Sequence, residues 1–233
     1  MRTRLLILVF VLGFAHVTFG DGIKIDKVYD PYVQLSEREL EMRSNFYHFE
    51  DGPNYGFHKF GFGYGFAPRW FAEVYAIGEK AYRESLTLKA VELEAKWQLT
   101  EQGEYAADWG VLFELEDKRH NDSFEFATTL LSARDFGRWT GVANLGLAYE
   151  WGDSINNEFE TTFAGQFRYR LQASFEPGFG VYLGQNTQGV GPVLQGVMRS
   201  GGRKSLHWEA GVIAGLTDAT PDYTFRLQLE LEF

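Results

Sequence analysis

Residues 223–233 read YTFRLQLELEF. Tyr223, Phe225, Leu227, Leu229, Leu231 and Phe233 are apolar, and Thr224, Arg226, Gln228, Glu230 and Glu232 between them are polar. An unbroken period of two is the signature of a strand with one dry face and one wet face. Its length is also about the 9–11 residues that a tilted strand needs to cross a bilayer.

The same pattern recurs upstream. In 159–171, Phe159, Thr161, Phe163, Gly165, Phe167, Tyr169 and Leu171 alternate with Glu160, Thr162, Ala164, Gln166, Arg168 and Arg170. Segments 57–66, 104–116 and 206–216 alternate as clearly, and 69–79, 86–99, 139–151 and 175–184 less cleanly. Adding 38–49, 123–134 and 189–199 gives twelve candidate strands, with short turns alternating with slightly longer polar connections. The expected architecture is all-β: a single antiparallel up-and-down transmembrane barrel of about twelve strands over residues 38–233.

Composition narrows the classes. The chain has 233 residues, 21 Phe, 12 Tyr, 26 Gly and no Cys. Such aromatic content argues against disorder, and a disulfide scaffold or Cys-ligated metal is impossible. Its net charge of −10 opposes phosphate binding, so no nucleic-acid partner is expected. Residues 1–20 carry Arg2 and Arg4, then an apolar run from Leu5 to Phe14, then Thr18 and Gly20 at −3 and −1 of a cut after Gly20. This reads as a secretory signal peptide. Removing it takes two arginines away and leaves a more acidic chain. Residues 21–37 read as a periplasmic N-terminal tail.

A soluble sandwich also alternates, but three features favour a membrane barrel. Charge sits on one face of nearly every strand, as Glu92, Glu94 and Lys96 do against Val91, Leu93, Ala95 and Trp97. Trp70, Trp97, Trp139, Trp151 and Trp208 stand near strand ends, the level of a membrane girdle, while Trp109 sits further in. A closed barrel also leaves no open sheet edge.

With its signal peptide, even strand count and alternating last strand ending in Phe233, the chain resembles Gram-negative outer-membrane β-barrels. The resemblance implies the cell outer membrane as location and the lipid bilayer as a partner. It also implies that the barrel-assembly machinery reads Phe233, Leu231 and Leu229 as an assembly signal. Segments 63–70 (GYGFAPRW) and 215–218 (GLTD) further resemble poorly characterised transport barrels of aromatic-degradation pathways. That resemblance implies no catalytic residues.

Taken literally, the alternation turns Glu39, Glu41, Arg43, Lys59, Glu73, Glu92, Glu94, Lys96, Asp108, Glu114, Arg168, Arg170, Glu209, Arg226 and Glu230 into the lumen. Carboxylates outnumber cations in this set. Two readings stay open: a narrow passive channel for small solutes or cations, or a plugged structural or adhesion barrel whose interior is salt-bridged. Gly61, Gly63, Gly65, Gly178, Gly180, Gly211 and Gly215 also face inward on this reading, leaving room or letting strands bend. Lys24 and Lys27 of the tail are positioned to meet lumen acids if the tail tucks into the barrel mouth.

An outer-membrane enzyme is the third reading, and a less supported one. His120 lies in a charged loop, His207 stands beside Glu209, and His48 and His58 are both five residues from Pro53 and so candidates to face each other across the first hairpin. The common hydrolase and nucleotide-binding motifs are absent. No catalytic residue, metal or cofactor is expected.

Overall fold

A computed structural model describes residues 23–81, 84–119, 122–201 and 204–233. The signal peptide at 1–20 and His120 lie outside the described residues.

Twelve strands follow one another: β1 (Arg38–His48), β2 (Tyr55–Ala67), β3 (Trp70–Ala81), β4 (Thr87–Gln98), β5 (Asp108–Lys118), β6 (Ser123–Phe136), β7 (Trp139–Gly152), β8 (Glu158–Tyr169), β9 (Glu176–Leu183), β10 (Gln188–Arg199), β11 (Ser205–Gly215) and β12 (Tyr223–Glu232). Each pairs antiparallel with its sequence neighbours, and β1 closes on β12 from Glu39↔Glu232 to His48↔Tyr223. The result is the expected closed up-and-down barrel. Closure supplies backbone partners for both terminal strands, which an open sheet would leave unpaired.

Side-chain alternation sorts the two faces. Leu93, Leu145, Phe66 and Phe225 are more than half exposed on the outside, whereas Arg43, Glu94 and Arg226 are 5% exposed or less inside. Water-soluble folds bury the first group and expose the second; this distribution is inverted.

One strand departs from the expected bounds. β5 begins at Asp108, because residues 99–107 fold into a connection of their own. There Gly103 N–H donates to Asp108 Oδ1 (2.7 Å) and Trp109 N–H to Thr100 Oγ1 (2.9 Å). This connection belongs to the set read as tight turns, so the contrast between the two rims is weaker than the sequence implied. β9 is short, and its ladder with β8 runs over Phe163–Arg168 alone.

The rim where β1 starts and β12 ends is called here the seam rim, and the other the far rim. Residues 23–37 do not hang beyond the seam rim as a periplasmic tail. They run through the barrel. Ser36 N–H donates to Gly65 O at the seam rim (2.8 Å), and Lys24 N–H donates to Thr187 Oγ1 at the far rim (3.0 Å). The reason for the correction is local: residues 23–27 (IKIDK) alternate, and they meet a wall that complements both halves of the pattern. Ile25 is fully buried against Tyr182, Val193 and Ile213, while Lys24 and Lys27 reach wall carboxylates.

Candidate functional site

The candidate site is the interior that β1–β12 enclose, together with the segment that occupies it. Glu39, Glu41, Arg43, Lys59, Glu73, Glu92, Glu94, Asp108 and Arg226 are buried there. Lys96, Glu114, Arg168, Glu209 and Glu230 are half-buried on the same face. Arg170 differs: it follows β8 and sits at the seam rim, where it donates to Asp135 (2.9 Å) and to the Gly137 carbonyl.

Most cations inside have carboxylate partners. Arg43 bridges Glu41, Asp26 (3.0 Å) and Glu94 (3.5 Å). Lys59 binds Glu92 (2.9 Å) and Asp26 (3.3 Å). Arg226 binds Glu209 (3.1 Å) and the Tyr182 hydroxyl, Arg168 binds Glu176 (3.2 Å), and Lys118 joins Glu125 to Glu150 (2.7 and 2.8 Å). Lys96 instead lies over the Phe71 ring. Such pairing offsets the cost of moving charge out of water.

Residues 23–37 complete this network. Lys24 Nζ lies 3.0 Å from Glu160 and 3.4 Å from Glu125. Lys27 Nζ lies 3.0 Å from Glu230, against Glu41, and 3.8 Å from Glu39. Halfway along, the Asn144 side chain accepts from Tyr29 N–H (2.7 Å) and donates to its carbonyl (2.8 Å), and Tyr29 OH donates to Glu94 (2.8 Å). The Tyr29 ring packs on Leu112 and Leu131, so the middle of the lumen is apolar on one side. Tyr32 OH donates to Asp108 (2.7 Å), and Gln98 accepts from Val33 N–H (2.9 Å).

The inward glycines have specific neighbours. A Cβ on Gly61 would stand 2.2 Å from the Tyr75 ring, and one on Gly63 2.5 Å from Phe71. One on Gly65 would stand 2.0 Å from the Gln34 carbonyl oxygen, and one on Gly110 3.0 Å from Pro31. The first two admit inward rings of the wall, and the last two admit the threaded segment.

What remains open is a cavity of about 430 Å³ in the far half of the barrel. The segment forms one side, and strands β1 to β8 form the other. Glu114 and Glu116 face it. Glu114 accepts from Thr129 OH (3.3 Å) and makes no ion pair within 4 Å, nor does Glu116, among the described residues. At the seam rim, outside the strands, the Glu37 carboxyl is pushed up to about 7 by burial and by Glu232 beside it.

The histidine arrangements read from sequence change. His58 faces Ser44, whose Oγ is 2.9 Å from Nδ1, while His48 faces Tyr223, so the two histidines do not meet. His207 pairs with Glu232 (3.0 Å) rather than Glu209. Ser205 donates to the same Glu232, which brings a Ser, a His and an acid to the seam rim. Both side chains bind the carboxylate separately, whereas a nucleophile triad needs the serine on the histidine.

The tryptophans lie at two levels. Trp70 and Trp97 stack at 5.2 Å and Trp139 stacks on Phe167 at 4.9 Å, toward the seam rim, where Trp208 also stands. Trp151, near the far rim, stacks with Phe124 and Tyr149. Leu229, Leu231 and Phe233 point outward at the closing strand.

Sequence reasoning left out Ile25, Tyr29, Asn144 and Thr187, the residues that seat the segment. The signal was present in the period of residues 23–27 and in the aromatic and proline content of Tyr29, Pro31 and Tyr32.

No protein-family model and no curated protein sequence matches the chain. Solved structures do. NanC porin has a TM-score of 0.56 at 12% identity, covering 83% of this chain and 98% of its own. KdgM porin in complex with disordered oligogalacturonate has 0.55 at 9%, covering 84% and 98%. An outer-membrane channel from Pseudomonas putida F1 has 0.55 at 10%, covering 90% and 99%. Identities this low establish the architecture alone, and the chain has the fold of the twelve-stranded outer-membrane β-barrels.

Proposed function

We propose that the chain is a passive channel for small solutes in the outer membrane, with the seam rim toward the periplasm. The observation that carries this is the inverted barrel: large apolar side chains outside, and a charged interior that opens into a far-half cavity. The fold shared with NanC, KdgM and the Pseudomonas channel supports it. On this reading the tryptophans near the rims are the membrane girdle, and Leu229, Leu231 and Phe233 form the signal for barrel assembly.

Charge sets the solute class. Glu114 and Glu116 add negative potential to a wall whose cations are largely engaged, and an acidic passage favours cations and neutral solutes. An anionic sugar such as the oligogalacturonate on KdgM meets the wrong sign here. The test is to refold residues 21–233 in detergent, verify the heat-modifiable gel shift, and insert the barrel into a planar bilayer under a salt gradient. Discrete conductance steps with a cation-favouring reversal potential are expected. Silence from a folded barrel would overturn the channel and leave the plugged structural barrel, which the threaded segment favours.

A further inference from the structure

The barrel wall is complete without residues 23–37. Every strand already has two neighbours, and the segment between residues 23 and 34 joins no ladder. Its backbone is held by side chains of the wall, at Thr187, Asn45, Asn144 and Gln98. Besides the apolar seats of Ile25 and Tyr29, the remaining ties are charges. The wall presents two carboxylate cradles, Glu125 with Glu160 and Glu41 with Glu230. Glu125 also binds the wall's Lys118 and Glu41 its Arg43, and each cradle holds in addition an ammonium group from the segment. Both ammoniums keep partial access to water: the side chains of Lys24 and Lys27 are 26% and 15% exposed. Lys24, Asp26, Lys27 and Tyr29 all line the open cavity, which gives the segment space to move sideways without opening the barrel.

We infer that residues 23–36 are a releasable internal gate, and that the two cradles filled by Lys24 and Lys27 are binding sites for organic amines that compete with it. The inference rests on the channel reading and adds its regulation and ligand class. A solute with one ammonium group enters one cradle. A linear diamine, with two, offers the wall both ammonium groups of the segment, though not the Asp26 carboxylate. Displacement replaces each lysine ammonium by an equivalent cation while the lysine is hydrated in the cavity. It also takes Asp26 away from Arg43 and Lys59, which keep their wall partners Glu41, Glu94 and Glu92.

The absence of native cysteine makes the test direct. In the full chain, Ile25→Cys with Ile213→Cys places two thiols in one buried apolar cluster, and oxidation ties the segment to β11. A second full-chain variant, Lys24→Gln with Lys27→Gln, removes both ammoniums. Each is first shown to fold by the heat-modifiable shift. Binding of 1,6-diaminohexane is measured by calorimetry, and current in a planar bilayer.

The reduced cysteine variant is expected to bind the diamine and to raise its open probability at least several-fold on adding it. The oxidised form should do neither. The double-glutamine variant should be open without diamine and still bind it. Equal diamine binding by the oxidised and reduced forms, or none by the reduced form and the double-glutamine variant, overturns the gate. Binding that obeys the redox state, with no current in any form, keeps the segment's site and removes the channel. Steady equal currents in all forms keep the channel and remove the gate.

Discussion

Single residues carry the fit inside the barrel, between wall and segment and within the wall itself, and three substitutions test it. Gly65→Ala puts a methyl where the Gln34 carbonyl lies, and backbone cannot yield as a flexible side chain can. The root of the segment should shift, seen as protease cleavage near residue 34 and a higher mean current. Gly61→Ala meets the Tyr75 ring instead, and overpacking of this kind costs about 1–3 kcal/mol, to be read from urea unfolding in lipid vesicles. Arg226→Ala leaves Glu209 buried without its cation, a loss of about 3–5 kcal/mol where such a pair is broken, to be measured the same way. Glu37 makes the seam-rim contact pH-sensitive. It faces Glu232 and Glu230 of β12 and feels Lys96 of β4, and His207 of β11 lies against Glu232. Its carboxyl is raised when folded, so its contribution is complete below the ordinary value of 4.5 and fades as pH rises through about 7. Urea midpoints should therefore fall as pH rises from about 4.5 to about 7 and level off above that, and Glu37→Gln should flatten that step.

Elements were legible in the sequence to the degree that their two faces differ. β12, β8 and β2 alternate apolar against polar or glycine, and the structure places them within two residues of the periodic stretches. β5 was misjudged because Tyr105, Ala106 and Ala107 prolong its period, while the hydrogen bonds of Thr100 and Asp108, which stop the strand, leave no periodic mark. Residues 21–37 read as a tail because they are polar and too short to fold alone. The sequence allowed Lys24 and Lys27 to meet lumen acids from the barrel mouth, but a lysine bound for a buried carboxylate looks the same in sequence as one bound for water, so the full threading was not legible. The faces also predict energetics. Leu93→Arg places a charge on the exposed apolar side of β4 and should cost about 2–4 kcal/mol if that site lies at the bilayer midplane. The short β8–β9 ladder should be the first to open. Amides of residues 163–168 that bond across to β9 should exchange hydrogen faster than those of β6 and β7, which pair along their whole length.

At the scale of the whole molecule, the sequence disclosed the barrel but not how far residues 23–37 fill it. Closure and strand order follow from an even run of hairpins. Occupancy of the lumen depends on contacts between residues far apart in the chain, such as Tyr29 with Asn144 and Lys24 with Glu160, which no local period encodes. Residue 23 stands near one rim and Phe233 at the other, so β1 and β12, in zipping together, encircle a strand of their own chain. This places a constraint on biogenesis. Either the ring forms around a strand already laid in place, or a finished ring is penetrated by a narrow peptide end. A compact domain fused ahead of residue 21 is tolerated by the first order of events and forbidden by the second, since no globule passes a bore that one extended peptide largely fills.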